Sequence, residues 1–293
     1  SFRMSDPLDR WLGKRLPAAV VVLPHWSVLA WAALGRAHAL DLPTASMPVV
    51  TVSGNSASIV EWDGVDMIGC YGTQCRRAFM DLGYCTRKLS LVGNLSLDHA
   101  MFLPRESARS RHRVYRDIGT RGRRLILFAT SGVNRNEHEI LRAIAALCCD
   151  PSANASLVIR PHPSIGRSFY AECCAEFGGA DCAIVAGGPV HDAIAAADVV
   201  ITDFSTVGAD AVHLKRPLLV VNTTGAPFPA NNYAHFGVAV EANAVAEIAP
   251  LLRRLLDEGF WWPAAAESLD KFTQAYNWRG DGASCHRFLA ELD

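Results

Sequence analysis

The chain has 293 residues, half of them hydrophobic and 19% charged, with a formal net charge of −1. That length accommodates two ordinary domains, and the mixed composition excludes disordered, collagen-like and acidic-tail proteins. Near-neutral charge also argues against a dedicated nucleic-acid binder, which needs a basic face for phosphate backbones.

Ala18–Pro24 is a short β-branched apolar run and predicts a buried parallel strand. An apolar helical pattern follows from Trp26 to Ala39, and Leu42-Pro43-Thr44 breaks it. Pro48–Ser53 and Asp66–Cys70 read as further strands. A helix over Thr73–Leu82, stopped by Gly83, leads to a strand at Leu89–Val92. This β–α–β rhythm is that of a doubly wound sheet. Arg105–Thr120 is polar and basic, and residues 105–122 are expected to form a linker helix between a domain over 1–104 and one over 123–293. The Arg-rich stretch reads first as a solvated helix, with an anionic membrane surface as the next candidate partner.

Beyond the linker the rhythm restarts. Strands are predicted at Leu125–Ala129, Ser156–Arg160, Cys182–Val185, Asp198–Thr202 and Pro217–Val221, with a last short one at Gly237–Val240. Helices are predicted at Asn136–Cys149, Ser168–Phe177, Val190–Ala197, Thr206–Leu214 and Val245–Asp257. Two more, near Ala264–Tyr276 and Ala283–Leu292, finish the chain, and no internal repeat stands out. The fold class is therefore α/β, with two Rossmann-like parallel sheets.

Nine cysteines would allow a disulfide framework, but Cys148–Cys149 and Cys173–Cys174 are adjacent pairs inside helical patterns and the count is odd. No CxxC spacing or Cys/His cluster suggests zinc, so buried free thiols in a reducing cytoplasm are expected. No apolar run approaches the ~20 residues of a membrane span. With no signal peptide visible either, a cytoplasmic location is expected, the inner face of the membrane included.

Ligands of such sheets bind beyond the carboxyl ends of the strands, where the strand order reverses. After the strand ending at Ala129 come Thr130, Ser131 and Gly132, whose hydroxyls and free amides suit a phosphate. The competing reading is ordinary helix capping. After the next strand come Arg160-Pro161-His162-Pro163. The two prolines fix the backbone around His162 and remove two amide donors, as expected if the imidazole must point at a ligand. Asp203-Phe204-Ser205-Thr206-Val207-Gly208 supplies a second set of hydroxyls, with Gly208 permitting close approach. The loop at Gly187 and Gly188 is a candidate for base and ribose contacts, or a flexible connection. In the first half His25 is the best acid/base candidate, against a packed histidine beside Trp26.

The strings Leu157-Val158-Ile159-Arg160-Pro161-His162-Pro163, Ala197 to Ala211 and Lys215 to Asn222 resemble the C-terminal half of GT-B-type glycosyltransferases. The similarity is to the bacterial surface-polysaccharide branch: CDP-glycerol glycerophosphotransferases, capsule Kdo and sialic-acid transferases, and UDP-N-acetylglucosamine 2-epimerases. Gly72-Thr73-Gln74 and Leu91 to Asp98 resemble the approach to the interdomain linker of that group. The resemblance implies a nucleotide-activated donor, CMP-, CDP- or UDP-linked, with no further cofactor. It implies donor-phosphate contacts from His162, Ser205 and Thr206, alongside Thr130, Ser131, Gly132, Arg160 and Gly208. Asp210 stands nearest to the position of a ribose-contacting carboxylate, beside Gly187 and Gly188.

The family's Gln-His-Gly element is absent after Leu42-Pro43-Thr44, and only about 105 residues precede the linker where a full domain takes ~150. The N-terminal domain is therefore expected to be incomplete, either reduced or part of a larger protein. The expected function is metal-independent transfer of a glycosyl or glycerophosphate-type group to a glycan acceptor, with His162 and His25 as catalytic candidates. The alternatives are a sugar-nucleotide 2-epimerase, which would need carboxylates such as Glu61, Asp63 or Asp66 in the cleft, and a non-catalytic nucleotide-sugar-binding subunit.

Overall fold

The computed structural model describes residues 17–23, 28–48, 64–100, 123–131, 136–162, 166–178, 181–203, 205–225, 233–257 and 266–292. The chain divides into two units, Ser1–Asp98 with Thr273–Asp293, and His99–Phe272. The expected linker over 105–122 lies outside the described residues, as does most of the strand expected at Pro48–Ser53.

The first unit contains β1 (Val20–Val22), α1 (Val28–His38), β2 (Thr44–Ser46), β3 (Met67–Cys70), α2 (Thr73–Asp81) and β4 (Leu89–Leu91), and it includes the start of α3 (Leu95–Ala100). Its strands are parallel and lie in chain order, β1-β2-β3-β4, with no reversal among the described residues. The strand β2 begins directly after Pro43, where the sequence pattern gave only the end of the helix. A proline can open a strand because its carbonyl still accepts, and Pro43 O receives the Val20 amide at 2.8 Å.

Just before β3, Asp66 accepts the Thr44 hydroxyl at 2.7 Å and the Thr44 amide at 2.9 Å. These bonds hold its carboxyl below the usual range, the Thr44 hydroxyl being the largest cause. Asp66 therefore stands at the amino end of its strand, the opposite end from a Rossmann ligand site.

The second unit contains the rest of the strands. They are β5 (Arg124–Ala129), β6 (Ala155–Arg160), β7 (Cys182–Ile184), β8 (Val199–Thr202), β9 (Leu218–Val221) and β10 (Val240–Ala242). All pair in parallel, in the order β10-β9-β8-β5-β6-β7. Between them run α4 (Glu137–Cys148), α5 (Arg167–Glu176), α6 (Val190–Ala196) and α7 (Val207–His213), followed by α8 (Val245–Asp257) and α9 (Ala266–Tyr276). Ile126 and Phe128 of β5 and Ile201 of β8 meet Ile144 of α4, Tyr170 of α5 and Leu252 of α8 in one buried cluster. The helices α6 and α7 contact β5, β8 and β9. Strands covered on both faces must be apolar throughout, and Leu125 to Ala129 are all buried. The strand predicted at Gly237–Val240 starts three residues later, because Ala234–Phe236 forms a 3-10 turn and Gly237 takes φ +69°.

Two expectations about the chain's ties change. Cys174 of α5 and Cys182 of β7 form a disulfide, and Cys85, Cys149 and Cys285 are exposed, leaving Cys70, Cys75, Cys148 and Cys173 as buried thiols. The terminal residues group with the first unit, not with residues 123–272: the division falls inside α9, and α10 (Ser284–Ala290) follows it. Asp98 accepts the amides of Ser284 and Cys285 at 3.1 and 2.8 Å, satisfying two orphan donors at the start of α10. Trp278 N–H bonds Tyr71 O at 2.7 Å. Gly72 makes this approach feasible, since a Cβ there would overlap the Ala275 carbonyl. Gly72→Ala is expected to cost about 1–3 kcal/mol by overpacking, read as a lower midpoint in chemical denaturation of the intact chain. An unchanged midpoint would contradict the docking.

Candidate functional site

The strand order of the second sheet reverses at β5: β6 and β7 lie to one side, β8, β9 and β10 to the other. Register aligns Ala129 with Arg160 on one flank and with Thr202 on the other. Three chain segments therefore leave the sheet at one level, just before Thr130, His162 and Ser205. Adjacent strands are about 4.8 Å apart, so an anion above β5 is within reach of both flanking loops.

Polar groups at this edge are linked to one another. The Ser131 hydroxyl donates to Asp203 Oδ2, joining the end of β5 to the end of β8. His162 N–H donates to Thr130 Oγ1 at 3.1 Å, joining β5 to β6. Thr130 Oγ1 also hydrogen-bonds Tyr170 Oη at 3.0 Å, and that phenol donates to Glu137 Oε1 at 2.9 Å. Thr130, Tyr170, Glu137 and Asp203 are all buried, whereas His162 is exposed and Ser205 and Thr206 are half-buried. Burial raises the Glu137 carboxyl above its ordinary range, and the nearby Asp203 charge adds to it, against opposing hydrogen bonds from Tyr170 and Thr130. Burial likewise raises the Tyr170 phenol.

Several of the expected phosphate contacts have partners within the fold. Arg160 donates to the carbonyls of Val185, Gly187 and Gly188 at 3.3, 2.5 and 2.7 Å. Its guanidinium thus clamps the loop before α6, in which Gly188 takes φ +77°. Gly208 gives room to Tyr233, since a Cβ there would overlap its ring. The Tyr233 hydroxyl in turn donates to Ser205 O at 2.9 Å. Ser205 Oγ accepts the Val207 amide at 3.3 Å, while Thr206 at the helix start makes no capping bond through its side chain.

Asp210, the ribose candidate, pairs with His191 Nε2 at 3.4 Å, both side chains about 15% exposed (15% and 14%). Burial alone would lower the His191 imidazole, but Asp210 and Asp192 outweigh it and the net shift is upward. Gly132 and His25 lie outside the described residues. Thr130, Ser131 and His162 are thus joined by direct bonds, to each other or through Asp203, and Ser205 and Thr206 follow on the same strand end. Tyr170, Glu137 and Tyr233 are the members that sequence reasoning missed.

This strand order, with hydroxyls at its reversal, is the architecture of a Rossmann-like unit of GT-B-type enzymes. Solved structures agree. A UDP-N-acetylglucosamine 2-epimerase from Listeria monocytogenes superposes with a TM-score of 0.69 at 17% identity, over 98% of this chain and 77% of that one. The Neisseria meningitidis UDP-GlcNAc 2-epimerase bound to UDP-GlcNAc gives 0.66 at 14%, over 98% and 79%. The wall teichoic acid polymerase TagF gives 0.60 at 12%, over 86% and 68%. No curated protein sequence matches the chain. The family model for CDP-glycerol:poly(glycerophosphate) glycerophosphotransferase matches residues 120–287, more than half of the sequence. The chain belongs to that family, and is an enzyme of transferase type.

One titrating group at the far end of α7 sets a stability signature. His213, at the end of α7, packs against Phe272 with ring centroids 5.2 Å apart. Burial pushes its imidazole down to about 4 from 6.5, with Asp210 only partly offsetting it. A depressed folded-state value contributes stability that is present above the unfolded value and is lost as pH falls towards the folded one. Denaturation midpoints are therefore expected to drop between about pH 6.5 and 4, and His213→Phe is expected to flatten part of that decline. Parallel declines in both proteins would contradict this origin.

Proposed function

We propose that this enzyme transfers a glycerophosphate-type or glycosyl group from a nucleotide-activated donor to a glycan acceptor, holding the donor's phosphate at Thr130, Ser131, His162, Ser205 and Thr206. The alignment of Arg160, Ala129 and Thr202 on one register line carries the reading, because it sends these side chains out from one edge. The family match favours a CDP-linked polyol among the CMP-, CDP- and UDP-linked candidates.

With such a donor, an acceptor hydroxyl oxygen bonds to the outer phosphorus, the bond from that phosphorus to the bridging oxygen breaks, and CMP leaves with the bridging oxygen. The acceptor proton passes to a base. With a sugar donor the anomeric carbon is attacked and the nucleoside phosphate or diphosphate leaves. Either way negative charge grows on the departing phosphate, where the His162 imidazole and the Ser205 and Thr206 hydroxyls can donate hydrogen bonds. The reading needs no metal ion, so activity is expected to survive chelation.

The epimerase alternative draws on the fold likeness to the Listeria and Neisseria enzymes. It asks for acid/base carboxylates facing the ligand. Asp66 is held by Thr44 at the amino end of β3, and Glu61 and Asp63 lie outside the described residues. Product analysis with CDP-glycerol and with UDP-N-acetylglucosamine separates the readings. Free CMP or UDP with an extended acceptor supports transfer, an isomerised sugar nucleotide supports epimerisation, and binding without turnover supports a non-catalytic nucleotide-sugar-binding subunit. His162→Ala is expected to weaken CDP binding or turnover at least about tenfold, the ~1.4 kcal/mol of one charge-assisted hydrogen bond. Unchanged affinity and rate in that variant would overturn the assignment.

A further inference from the structure

Behind the phosphate edge lies a titratable group that the proposed chemistry does not use. Glu137 is 7% exposed at the first turn of α4, Thr130 5% exposed and Tyr170 fully buried. They are linked in series, His162 N–H to Thr130 at 3.1 Å, Thr130 to Tyr170 at 3.0 Å and Tyr170 to Glu137 at 2.9 Å, and the Thr130 hydroxyl is also near enough to Glu137 to bond it. A hydroxyl carries one proton and can donate once, while an ionised carboxylate only accepts. These rules limit which way each hydroxyl proton can point.

With Glu137 ionised, the Tyr170 proton must point at the carboxylate. The Thr130 proton then points inwards, at Tyr170 or at the carboxylate itself, and Thr130 turns only lone-pair density towards an incoming ligand. A phosphate oxygen arriving there meets an acceptor. With Glu137 protonated, its O–H donates to Tyr170 Oη and the Tyr170 proton swings to Thr130 Oγ1. The Thr130 proton is then released towards the ligand. Thr130 Oγ1 now accepts from both Tyr170 and His162 N–H, filling its two lone pairs. One proton enters from solvent onto Glu137 and the two hydroxyls rotate; no other covalent bond changes.

We propose that Glu137, Tyr170 and Thr130 are a buried proton-sensitive relay, in which protonation of Glu137 turns the Thr130 hydroxyl into a donor to the phosphate, so that donor binding takes up a proton. This rests on the donor-phosphate reading of the same edge.

The surroundings push in the same direction. Among the described residues, the titratable groups that face Glu137 are Asp203 from the end of β8, and Tyr170 and Cys173 from α5. None of these is a cation. The next residue on its own helix, His138, pairs with Glu176 of α5 at 2.8 Å. Burial, with Asp203 beside it, already holds Glu137 above the usual carboxylate range. An arriving phosphate adds a further negative charge to that pair of carboxylates, and a second ionised group there is costly to keep. Tyr170 and Glu137 are positioning residues here: neither needs to touch the donor.

The test is the pH dependence of CDP binding by the whole chain, followed by titration calorimetry in two buffers of different ionisation enthalpy. Affinity of the wild type is expected to fall as pH rises through the Glu137 range, by up to about tenfold per unit for one linked proton. Proton uptake should accompany binding. Glu137→Gln places a permanent N–H donor against Tyr170, so it is expected to bind CDP at high pH as the wild type does at low pH, with less uptake. Tyr170→Phe keeps the ring in the core and cuts the relay, and is expected to flatten the profile too. Titration of the nucleotide's own phosphate is common to all three proteins and cancels. Parallel profiles and equal proton uptake in wild type and both variants would overturn the relay while leaving the donor site standing. Failure of CDP and UDP to bind the wild type at any pH would overturn the donor site itself, and the relay with it.

Discussion

The second unit depends on one constraint: β5 lies between β6 and β8, parallel to both, with Ala129 level with Arg160 and Thr202. Because the order reverses there, the helices that follow β5 and β8 diverge and leave the edge between them open. Burial of the strands on both faces then forces each polar group at the edge to find a partner within it. Ser131 finds Asp203, His162 N–H finds Thr130, and Thr130 finds Tyr170. The gathering of polar groups at this edge is a consequence of sheet topology before it is a property of any one residue.

Around that edge a second set of side chains holds backbone. Arg160 fixes the carbonyls of the loop at Gly187 and Gly188, and Tyr233 fixes the carbonyl of Ser205 through the space that Gly208 leaves. His191 holds Asp210 from the neighbouring helix. A donor bound here meets loops already restrained in place, so less ordering is required on binding. The relay beneath Thr130 gives this framework a variable element, since the polarity of its hydroxyls follows the protonation state of one carboxyl.

Much of this was legible in the sequence, for identifiable reasons. The strands of the second unit are β-branched apolar runs buried on both faces, and such runs end where the first polar residues appear, so Thr130 and Ser205 could be named as edge residues. His162 stood out through its flanking prolines. Tyr170, Glu137 and Tyr233 could not be found that way: each looks like an ordinary helix or loop residue, and only tertiary packing brings it 33 or 28 residues across to its partner. Arg160 was legible as a cation near the site, but its partners are loop carbonyls, which carry no sequence signal. The same holds for Cys174 and Cys182, which belong to different elements, and for the terminal helices, whose attachment through Gly72 and Asp98 lies about 200 positions away in the chain.

The central claim is that a donor phosphate is bound above β5, between the loops carrying His162 and Ser205. The most direct measurement is a crystal structure of the chain with bound CDP or UDP. The account requires phosphate oxygens within hydrogen-bond distance of Thr130 or Ser131, His162 and Ser205 or Thr206 together. A nucleotide bound elsewhere, or with its phosphates turned away from the end of β5, would contradict it.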